Sequence, residues 1–511
     1  MHYDTLRSNL FKFWIIIVHS EQNNTYTHPP SLRVFFATEM WERYGFYVVQ
    51  SLLALYLALF FQWPDKRVYA LVGSFTALTY ISPVIGGWIA DHLLGQKRAI
   101  LTGAAILFLS YLSLTFFVND YSLTAALAGI AVGTGLLKPN ISSLLGNEYP
   151  MGSSKRERGF TIFYMGLTTG IILGTTLPSM LSIHFGWSVS FISAAIGMII
   201  AFSVFAFGSY HYKIADYYPC EFKLSNLYKA LFMMFFLWLV SFCILLFPMF
   251  ANSAFIAVVI MSVAYLIYSI TCETAEQARQ NIVIGLLCII SIMFWAFYFQ
   301  MFMSLTLFIS RVVQPQIFGL NFPAPYYVGV QSIGMLIFGF LLSRNKEKLS
   351  VVQCGLRTGK KFVLAMLFIC LAYFLITVIS YSSQSSSALI LPLYLLPAYL
   401  LISIAELLLS PVGLSAITVL ASRKKVSTMM GIFFVSLGIG GYLSGKLATL
   451  TAVKPGYMSI IELKAHYAHA FTSLFCILIV ATIICFILNH VIKILLVGQR
   501  SEKDLNHLKP V

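Results

Sequence analysis

Long apolar stretches recur along the whole length of this 511-residue chain. A membrane-spanning α-helix needs about 20 predominantly apolar residues, and we identify fourteen stretches of that kind. Fourteen such spans predict an all-α polytopic membrane protein. We place the spans at 33–62, 68–91, 98–118, 122–148, 159–183, 187–209, 226–248, 251–272, 281–311, 325–343, 360–381, 387–421, 428–450 and 466–497.

The composition agrees with a chain that lies mostly in lipid. Charged residues make up 10% of the sequence, whereas soluble proteins contain about 25%. Hydrophobic residues make up 59%, and aromatic residues 15%. These values exclude a soluble enzyme, a nucleic-acid-binding protein and a disordered chain. The formal net charge of +15 does not require a polyanionic partner, because cytoplasmic loops of membrane proteins are enriched in Lys and Arg.

Basic residues are distributed unevenly between the two sides of the membrane. With the N-terminus inside, the cytoplasmic loops carry seventeen Lys and Arg residues and the opposite loops carry five. Because cytoplasmic loops retain the positive excess, we expect the tails 1–32 and 498–511 both to be cytoplasmic. The expected location is the cell (inner) membrane, crossed many times.

A weak internal repeat divides the chain. The segments 87–98 and 339–348, at the ends of the second and tenth spans, each begin with Gly and lead into basic residues. The segment 136–139 in the fourth span likewise resembles 408–411 in the twelfth. Such repeats are common in transporters, whose substrate site lies between the repeats near mid-membrane. The prediction is an N-terminal six-helix bundle, a cytoplasmic linker with two additional transmembrane helices, and a C-terminal six-helix bundle, at 33–209, 210–280 and 281–497.

The first span contains charged residues, which are costly in a bilayer. A charge at the bilayer centre costs about 2.5–3.5 kcal/mol on insertion scales. Glu39, Glu42 and Arg43 are spaced by three and four residues, so all three share one helical face, which Tyr47 continues. That face must point into the protein or into a wet cavity.

Two further charges lie in the middle of later spans, Lys138 in the fourth and Glu406 in the twelfth. Together with the first span, they give three carboxylates and two cations. Such a set can hold one proton more or less, which suits the coupling of a proton to a zwitterionic substrate. The alternative is a purely structural ion network, although isolated buried pairs are a poor source of stability.

These residues and their surroundings carry a family resemblance. The first span reads Glu39-Met-Trp-Glu42-Arg43-Tyr44-Gly45-Phe46-Tyr47, and the stretches 87–98, 133–140 and 405–415 also match family patterns. The sequence resembles the proton-dependent oligopeptide transporter (POT/PTR) family of the major facilitator superfamily, in its bacterial branch with two extra helices. The resemblance implies the major facilitator superfamily fold, in which two six-helix bundles rock around a central site.

The resemblance also implies roles for individual residues. Arg43 and Lys138 would hold a peptide carboxylate, Glu406 would hold the peptide amino end, and Tyr47 and Tyr80 would line the site. The proton-coupling residues would be Glu39, Glu42, Lys138 and Glu406. The loop that switches conformation would comprise Gly87, Asp91, Gly95, Lys97 and Arg98.

The sequence departs from the family pattern at four substrate-site positions, and Gln300 is a further candidate contact. Thr168 replaces an Asn that would grip the peptide backbone, and Tyr298 stands where many relatives carry a Glu. Gln300 follows, Gln331 stands where Asn is common, and Phe433 stands where Trp is frequent. These changes favour a restricted or unusual peptide set, or a different small solute.

The predicted function is therefore proton-coupled symport of di- and tripeptides into the cell by alternating access. The alternatives are transport of another small solute, drug efflux, or a different class, a membrane-embedded enzyme or receptor. We expect no enzymatic activity, because no H-E-x-x-H or G-x-S-x-G motif is present. The glycine-rich stretch 355–361 departs from a phosphate-binding loop, so ATP-driven transport has no support.

The remaining expectations concern ligands and partners. We expect small peptides, protons and the lipid bilayer as partners, no nucleic acid, and a monomer. The proton gradient replaces a cofactor. None of the eight cysteines forms a C-x-x-C pair, so we expect neither a bound metal nor a disulfide framework.

Overall fold

The described part of the chain folds almost entirely into α-helices. The computed structural model describes residues 28–116, 119–150, 154–216, 224–342, 351–422, 425–454, 456 and 458–506. Most of the predicted N-terminal tail lies outside these residues. The first six helices are α1 Leu32–Leu55, α2 Asp65–Ile89, α3 Gln96–Phe116, α4 Asp120–Asn147, α5 Ser154–Phe185 and α6 Trp187–His211. α1 and α2 continue into the π-helical turns Tyr56–Phe60 and Ala90–Leu94.

The remaining helices are an additional pair and those of the second bundle. Two additional helices are α7 Leu224–Leu246 and α8 Pro248–Thr271. The second bundle comprises α9 Ala275–Tyr298, α10 Ser304–Val312, α11 Pro325–Leu342, α12 Val351–Ser383, α13 Leu396–Leu420, α14 Val426–Ala448 and α15 Ile460–Asn506. Within the described residues, thirteen helical segments are long and apolar enough to cross a membrane, with α9 and α10 counted together, and the apolar part of α11 is shorter.

Three features differ from the sequence prediction. The predicted span 281–311 is broken by a 3-10 turn, Phe299–Phe302, between α9 and α10, and Thr306 donates to the freed carbonyl of Met301 at 2.5 Å. A small antiparallel hairpin, β1 Gln316–Ile317 with β2 Leu320–Asn321, follows α10, too short to show an alternating pattern. The last helix continues through the predicted tail to Asn506.

Glycines bring α2 and α4 close together in the first bundle. A Cβ atom on Gly86 would lie 2.1 Å from the carbonyl oxygen of Gly135, which is shorter than any real contact. The two backbones can therefore approach only because both residues lack side chains. This approach holds the following turn of α4, which carries Lys138, against α2.

The two additional helices are attached to different bundles. The indole of Trp238 in α7 donates to the carbonyl of Ala125 in α4 at 3.0 Å. In α8, Asn252 accepts a hydrogen bond from Tyr442 of α14, and the ring of Phe255 lies 4.4 Å from that of Tyr442. The α7–α8 hairpin thus spans the boundary between the bundles.

The bundles also meet directly on one side, here called the first-loop side because the loop 61–64 joins α1 and α2 there. Arg311 of α10 donates to both carboxylate oxygens of Asp65 at 2.7 Å, and the N–H of Val453 donates to the same carboxylate at 2.9 Å. Within the membrane, a Cβ atom on Gly73 would lie 2.8 Å from the Cα of Gly445. These contacts join the bundles across the first-loop side. The opposite side is called the N-terminal side.

Candidate functional site

The charged residues of α1 form one compact cluster. Arg43 lies 3.3 Å from Glu39 and forms a short ion pair with Glu42. All three side chains are buried, with at most 3% of each residue exposed. The helical spacing places them together, as the sequence predicts. One guanidinium facing two carboxylates leaves a negative excess that a proton or a second cation can balance.

Lys138 of α4 is the second cation of the first bundle. It interacts electrostatically with Glu39 and Glu42, yet it forms no ion pair with a carboxylate of the described residues. Instead its ammonium lies 4.6 Å from the centroid of the Tyr80 ring, a favourable cation–π distance. The structure therefore pairs Glu42 with Arg43 and leaves Lys138 over an aromatic face.

Among the described residues, the second bundle contributes a single carboxylate to the site, Glu406 of α13. Its Oε2 accepts a hydrogen bond from the Tyr298 hydroxyl at 2.8 Å and another from Gln331 Nε2 at 2.6 Å. Ser403, one turn before Glu406, donates to the backbone carbonyl of Gln331 at 2.7 Å, which sets the register of α11 against α13. Three helices, α9, α11 and α13, thus converge on this carboxylate.

Tyrosines connect the charges of the two bundles. The Tyr47 ring of α1 lies 6.2 Å from the Phe302 ring, and the Tyr80 ring of α2 lies 5.4 Å from the Phe299 ring. Both tyrosines interact electrostatically with Arg43 and with Glu406. Tyr47 and Tyr80 therefore lie between the cationic part of the first bundle and the carboxylate of the second, next to the α9–α10 break.

Two of the predicted substrate contacts are buried by the fold. The Gln300 amide donates to the carbonyl of Ser444 at 2.8 Å and accepts from Ser304 at 2.5 Å. These bonds satisfy the amide within the break between α9 and α10, so the structure does not bring it into the site. Phe433 is 1% exposed and packs against Gly413, as a residue that fills space between α13 and α14.

Among the described residues, Thr168 makes only a local hydrogen bond. Its hydroxyl donates to the carbonyl of Tyr164, one turn earlier in α5, at 3.0 Å. Tyr164, which the sequence reasoning did not select, has a 54% exposed side chain and interacts electrostatically with Glu39. Tyr164 is therefore an α5 side chain that interacts with the α1 cluster.

A second residue that the sequence reasoning missed is Trp295 of α9. Its ring lies 5.2 Å from the Phe299 ring and 6.5 Å from the Tyr80 ring of the other bundle. Its buried indole N–H has no hydrogen-bond partner among the described residues. The only signal was the aromatic run 294–299, which is hard to distinguish from an ordinary core segment.

The predicted switch loop lies on the N-terminal side, where α2 gives way to α3. Gly95 adopts a φ of +80°, which favours glycine. The following N–H, that of Gln96, donates to Asp216 at 3.2 Å. Asp216 follows α6 and was not selected from the sequence. Gly87, Asp91, Lys97 and Arg98 lie in the same segment, and their switching role stays a prediction.

The glycine-rich stretch 355–361 lies inside α12. A phosphate-binding loop needs free backbone N–H groups that point at the ligand, whereas an α-helix uses those groups for its own hydrogen bonds. The stretch 355–361 therefore does not form a phosphate-binding loop in this structure.

Two helical bundles with buried charges facing each other define a multi-pass membrane transporter of the major facilitator type. The family model described as "PTR2: POT family" matches residues 97–466. The chain therefore belongs to the POT family, and the predicted family and fold class are confirmed.

Relatives along nearly the whole chain agree with this assignment. The sequence is 30% identical over 439 residues to dipeptide and tripeptide permease A of Erwinia pyrifoliae, covering 84% of this chain and 87% of the relative. It is 28% identical over 447 residues to the permease of the same name from Escherichia coli K12, covering 86% and 88%.

Solved structures share the fold. A crystal structure of a peptide transporter POT in complex with sulfate has a TM-score of 0.78 and 25% identity, covering 93% of this chain and 97% of that chain. A crystal structure of tetrameric PepTSo2 has a TM-score of 0.79 and 25% identity, covering 91% and 99%.

Proposed function

We propose that this protein is a proton-coupled symporter that imports di- and tripeptides by alternating access. The observation that carries the proposal is the separation of charge between the bundles: Arg43 and Lys138 lie in the first, and the isolated Glu406 lies in the second. A short peptide is a zwitterion with a carboxylate at one end and an ammonium at the other. The names of the permeases and peptide transporters to which the chain is similar support the substrate class.

The carboxylate end of the peptide would meet the first bundle. Lys138 is held by an aromatic ring rather than a carboxylate, so its ammonium is the group that can pair with an incoming anion. Arg43 would join it once Glu39 or Glu42 releases the guanidinium. A guanidinium can bind both oxygens of a carboxylate at once.

A proton would control that release. When Glu39 and Glu42 are both ionised, they compete with the substrate for Arg43. Protonation of either carboxylate removes one competitor and balances the excess negative charge of the α1 cluster. Proton and peptide would then favour the same state, which is the differential interaction that a ligand needs to shift a conformational equilibrium.

The bundles would open and close around the bound peptide. The bidentate Asp65–Arg311 pair closes the first-loop side in the present state. With the positive excess in the loops of the N-terminal side, we propose that this side is cytoplasmic. Import would then require the Asp65–Arg311 pair to break, so that peptide can enter from outside.

The proposal includes four narrower statements. The chain performs transport and no enzymatic reaction, and the proton gradient drives it without a cofactor. It works within the lipid bilayer of the inner membrane. The monomer is the transporting unit, because Arg43, Lys138 and Glu406 are all supplied by one chain.

A ligand panel tests the substrate class. Purified protein is screened by thermal shift against di- and tripeptides, single amino acids, sugars and cationic drugs, because a ligand that binds only the folded state raises the melting temperature. We expect shifts with peptides alone, and uptake of the same peptides into vesicles with an inward proton gradient. Shifts with sugars or drugs but with no peptide would overturn the proposal.

Orientation is tested separately in intact cells. A single cysteine at Ser385, in the exposed loop after α12, should react with an impermeant thiol reagent added outside. The control is a cysteine at Ser154, at the N-terminal side of α5. It should react only after the membrane is permeabilised. The opposite labelling pattern would reverse the proposed direction.

A further inference from the structure

Both hydrogen-bond donors at Glu406 point at one oxygen. The Tyr298 hydroxyl lies 2.8 Å from Oε2, and Gln331 Nε2 lies 2.6 Å from the same atom. Tyr298 and Gln331 are buried, at 5% and 2% exposure. The other carboxylate oxygen, Oε1, accepts no hydrogen bond from the described residues.

The chemistry of the amide decides where a proton can bind. An amide nitrogen donates hydrogen bonds and does not accept them. Oε2 must therefore act as an acceptor toward Gln331, and a proton on that oxygen would compete with two donors for its lone pairs. Because Oε1 accepts no hydrogen bond from the described residues, it is the oxygen whose lone pairs are open to a proton.

Among the described residues, the surroundings of Glu406 supply no positive charge that could replace the proton at Oε1. The titratable side chains that interact with it are tyrosines on three helices, Tyr298 of α9, Tyr47 of α1 and Tyr80 of α2. No Lys or Arg of the described chain forms an ion pair with it. An arriving substrate ammonium is thus the natural counter-charge for Oε1.

We propose that Tyr298 and Gln331 are positioning residues that hold Glu406 by Oε2 and leave Oε1 as one atom for which a proton and the substrate ammonium compete. This changes the predicted role of both residues, from contacts with the peptide to groups that orient its partner. The inference rests on the proposed function, since it takes the peptide amino group as the cation.

Competition for one oxygen has a measurable consequence. A peptide with a free amino end must displace the proton of Glu406, so the contribution of Glu406 to its affinity rises with pH through the range in which Glu406 titrates. The same peptide with an acetylated amino end makes no use of Oε1 and does not follow that rise. The ratio of the two affinities isolates Glu406 from Glu39 and Glu42, which act on both peptides alike.

The test removes one positioning group at a time. We compare Tyr298→Phe and Gln331→Leu with a matched control, Tyr373→Phe. That control also removes a buried hydroxyl, one that donates to the carbonyl of Phe297 at 2.9 Å, but it leaves Glu406 untouched. Binding of alanyl-alanine and of N-acetyl-alanyl-alanine is measured by calorimetry between pH 5.5 and 8, as a series in each purified protein, with melting temperature as the check on folding.

We expect Tyr298→Phe to weaken binding of the free peptide about tenfold, the order that loss of one charged hydrogen bond produces, and to change the acetylated peptide less than twofold. The difference in pH dependence between the two peptides should shrink in both site variants and persist in Tyr373→Phe. Gln331→Asn, which keeps the amide, should retain part of the difference.

Two outcomes would overturn the inference while leaving the proposed function intact. One is an equal loss of affinity for both peptides in Tyr298→Phe, which would make Tyr298 a direct contact or a structural residue. The other is a wild-type protein that binds both peptides with the same pH dependence. Failure of both peptides to bind the wild-type protein, at any pH, would instead count against the proposed function itself.

Discussion

The two bundles hold their buried charges in opposite ways. The first bundle gathers Glu39, Glu42, Arg43 and Lys138, and most of their interactions are with one another. The second holds Glu406 with the neutral donors Tyr298 and Gln331. Because an unpaired buried charge is costly, the first bundle balances two carboxylates with two cations of its own, whereas the second gains a full counter-charge only from outside the protein.

Because of this difference, we expect protonation to have different effects on the carboxylates of the two bundles. Protonation of Glu39 or Glu42 changes the partners of Arg43 and thereby rearranges the ion pairs of the first bundle. Protonation of Glu406 changes only whether one oxygen is available. The following variants are arranged from the largest expected effect on this comparison to the smallest.

Removal of Arg43 should have the largest effect. In Arg43→Ala, Glu39 and Glu42 remain buried without their guanidinium, so peptide uptake should fall more than 100-fold and stability should fall by about 3–5 kcal/mol. Arg43→Lys should recover part of the stability but little uptake, because an ammonium lacks the planar fork. Uptake into vesicles and thermal unfolding measure the two effects.

The control for Arg43 is a second arginine that pairs near the surface. Arg67 lies 2.6 Å from Asp120, and both side chains are more than a third exposed. Arg67→Ala should therefore change uptake less than threefold and barely affect melting. Equal damage in Arg43→Ala and Arg67→Ala would contradict the idea that the α1 cluster is the core of the site.

Glu42→Gln should abolish proton coupling while leaving the conformational change of the bundles intact. The amide cannot take up a proton, so uphill uptake driven by a proton gradient should stop. Downhill exchange of labelled for unlabelled peptide should continue, since exchange requires binding and rocking but no net proton transfer. Both assays run on one vesicle preparation. Uphill accumulation that survives in Glu42→Gln would remove this residue from the coupling mechanism, and loss of both activities in folded protein would favour a structural network.

Glu406→Gln should affect one class of peptide. The amide oxygen can still accept from Tyr298 and Gln331, which turns the amide N–H₂ group toward the position of Oε1. That group repels an ammonium, so a peptide with a free amino end should lose at least tenfold in affinity. An amino-acetylated peptide should change less than threefold. Equal losses for both peptides, measured by competition binding, would show that Glu406 does not hold the amino end.

Thr168→Asn should have the smallest effect. The Thr168 hydroxyl is used within its own helix, whereas an Asn side chain reaches farther and offers both a donor and an acceptor. We expect affinity for dipeptides to improve by at most about threefold, with unchanged pH dependence. The apparent KM of dipeptide uptake measures this, and Thr169→Asn, at the next position of α5, is the control. A larger gain in Thr169→Asn would show that Thr169, and not Thr168, lies on the face of α5 that contacts the substrate.

Part of the site could be predicted because it depends on one helix. The spacing of Glu39, Glu42 and Arg43 places them on a common face whatever surrounds them, and the structure brings them together. The breaks and pairings could not be predicted in this way. From its position after Tyr298, Gln300 is expected to lie in the site. Its amide instead donates to the carbonyl of Ser444 in α14, beside the helix break, and this contact depends on how the helices pack.

The sequence by itself determined the membrane environment, the apolar helices, the family and the identity of the buried charges, because each follows from residue type and spacing along one chain. Only the tertiary structure decided that Glu42 pairs with Arg43 rather than Lys138, and that Tyr298 and Gln331 share one oxygen of Glu406. Those choices depend on which side chains meet across different helices. Buried polar groups accept the partners that helix packing places within about 3 Å, and spacing along the chain carries no information about that distance.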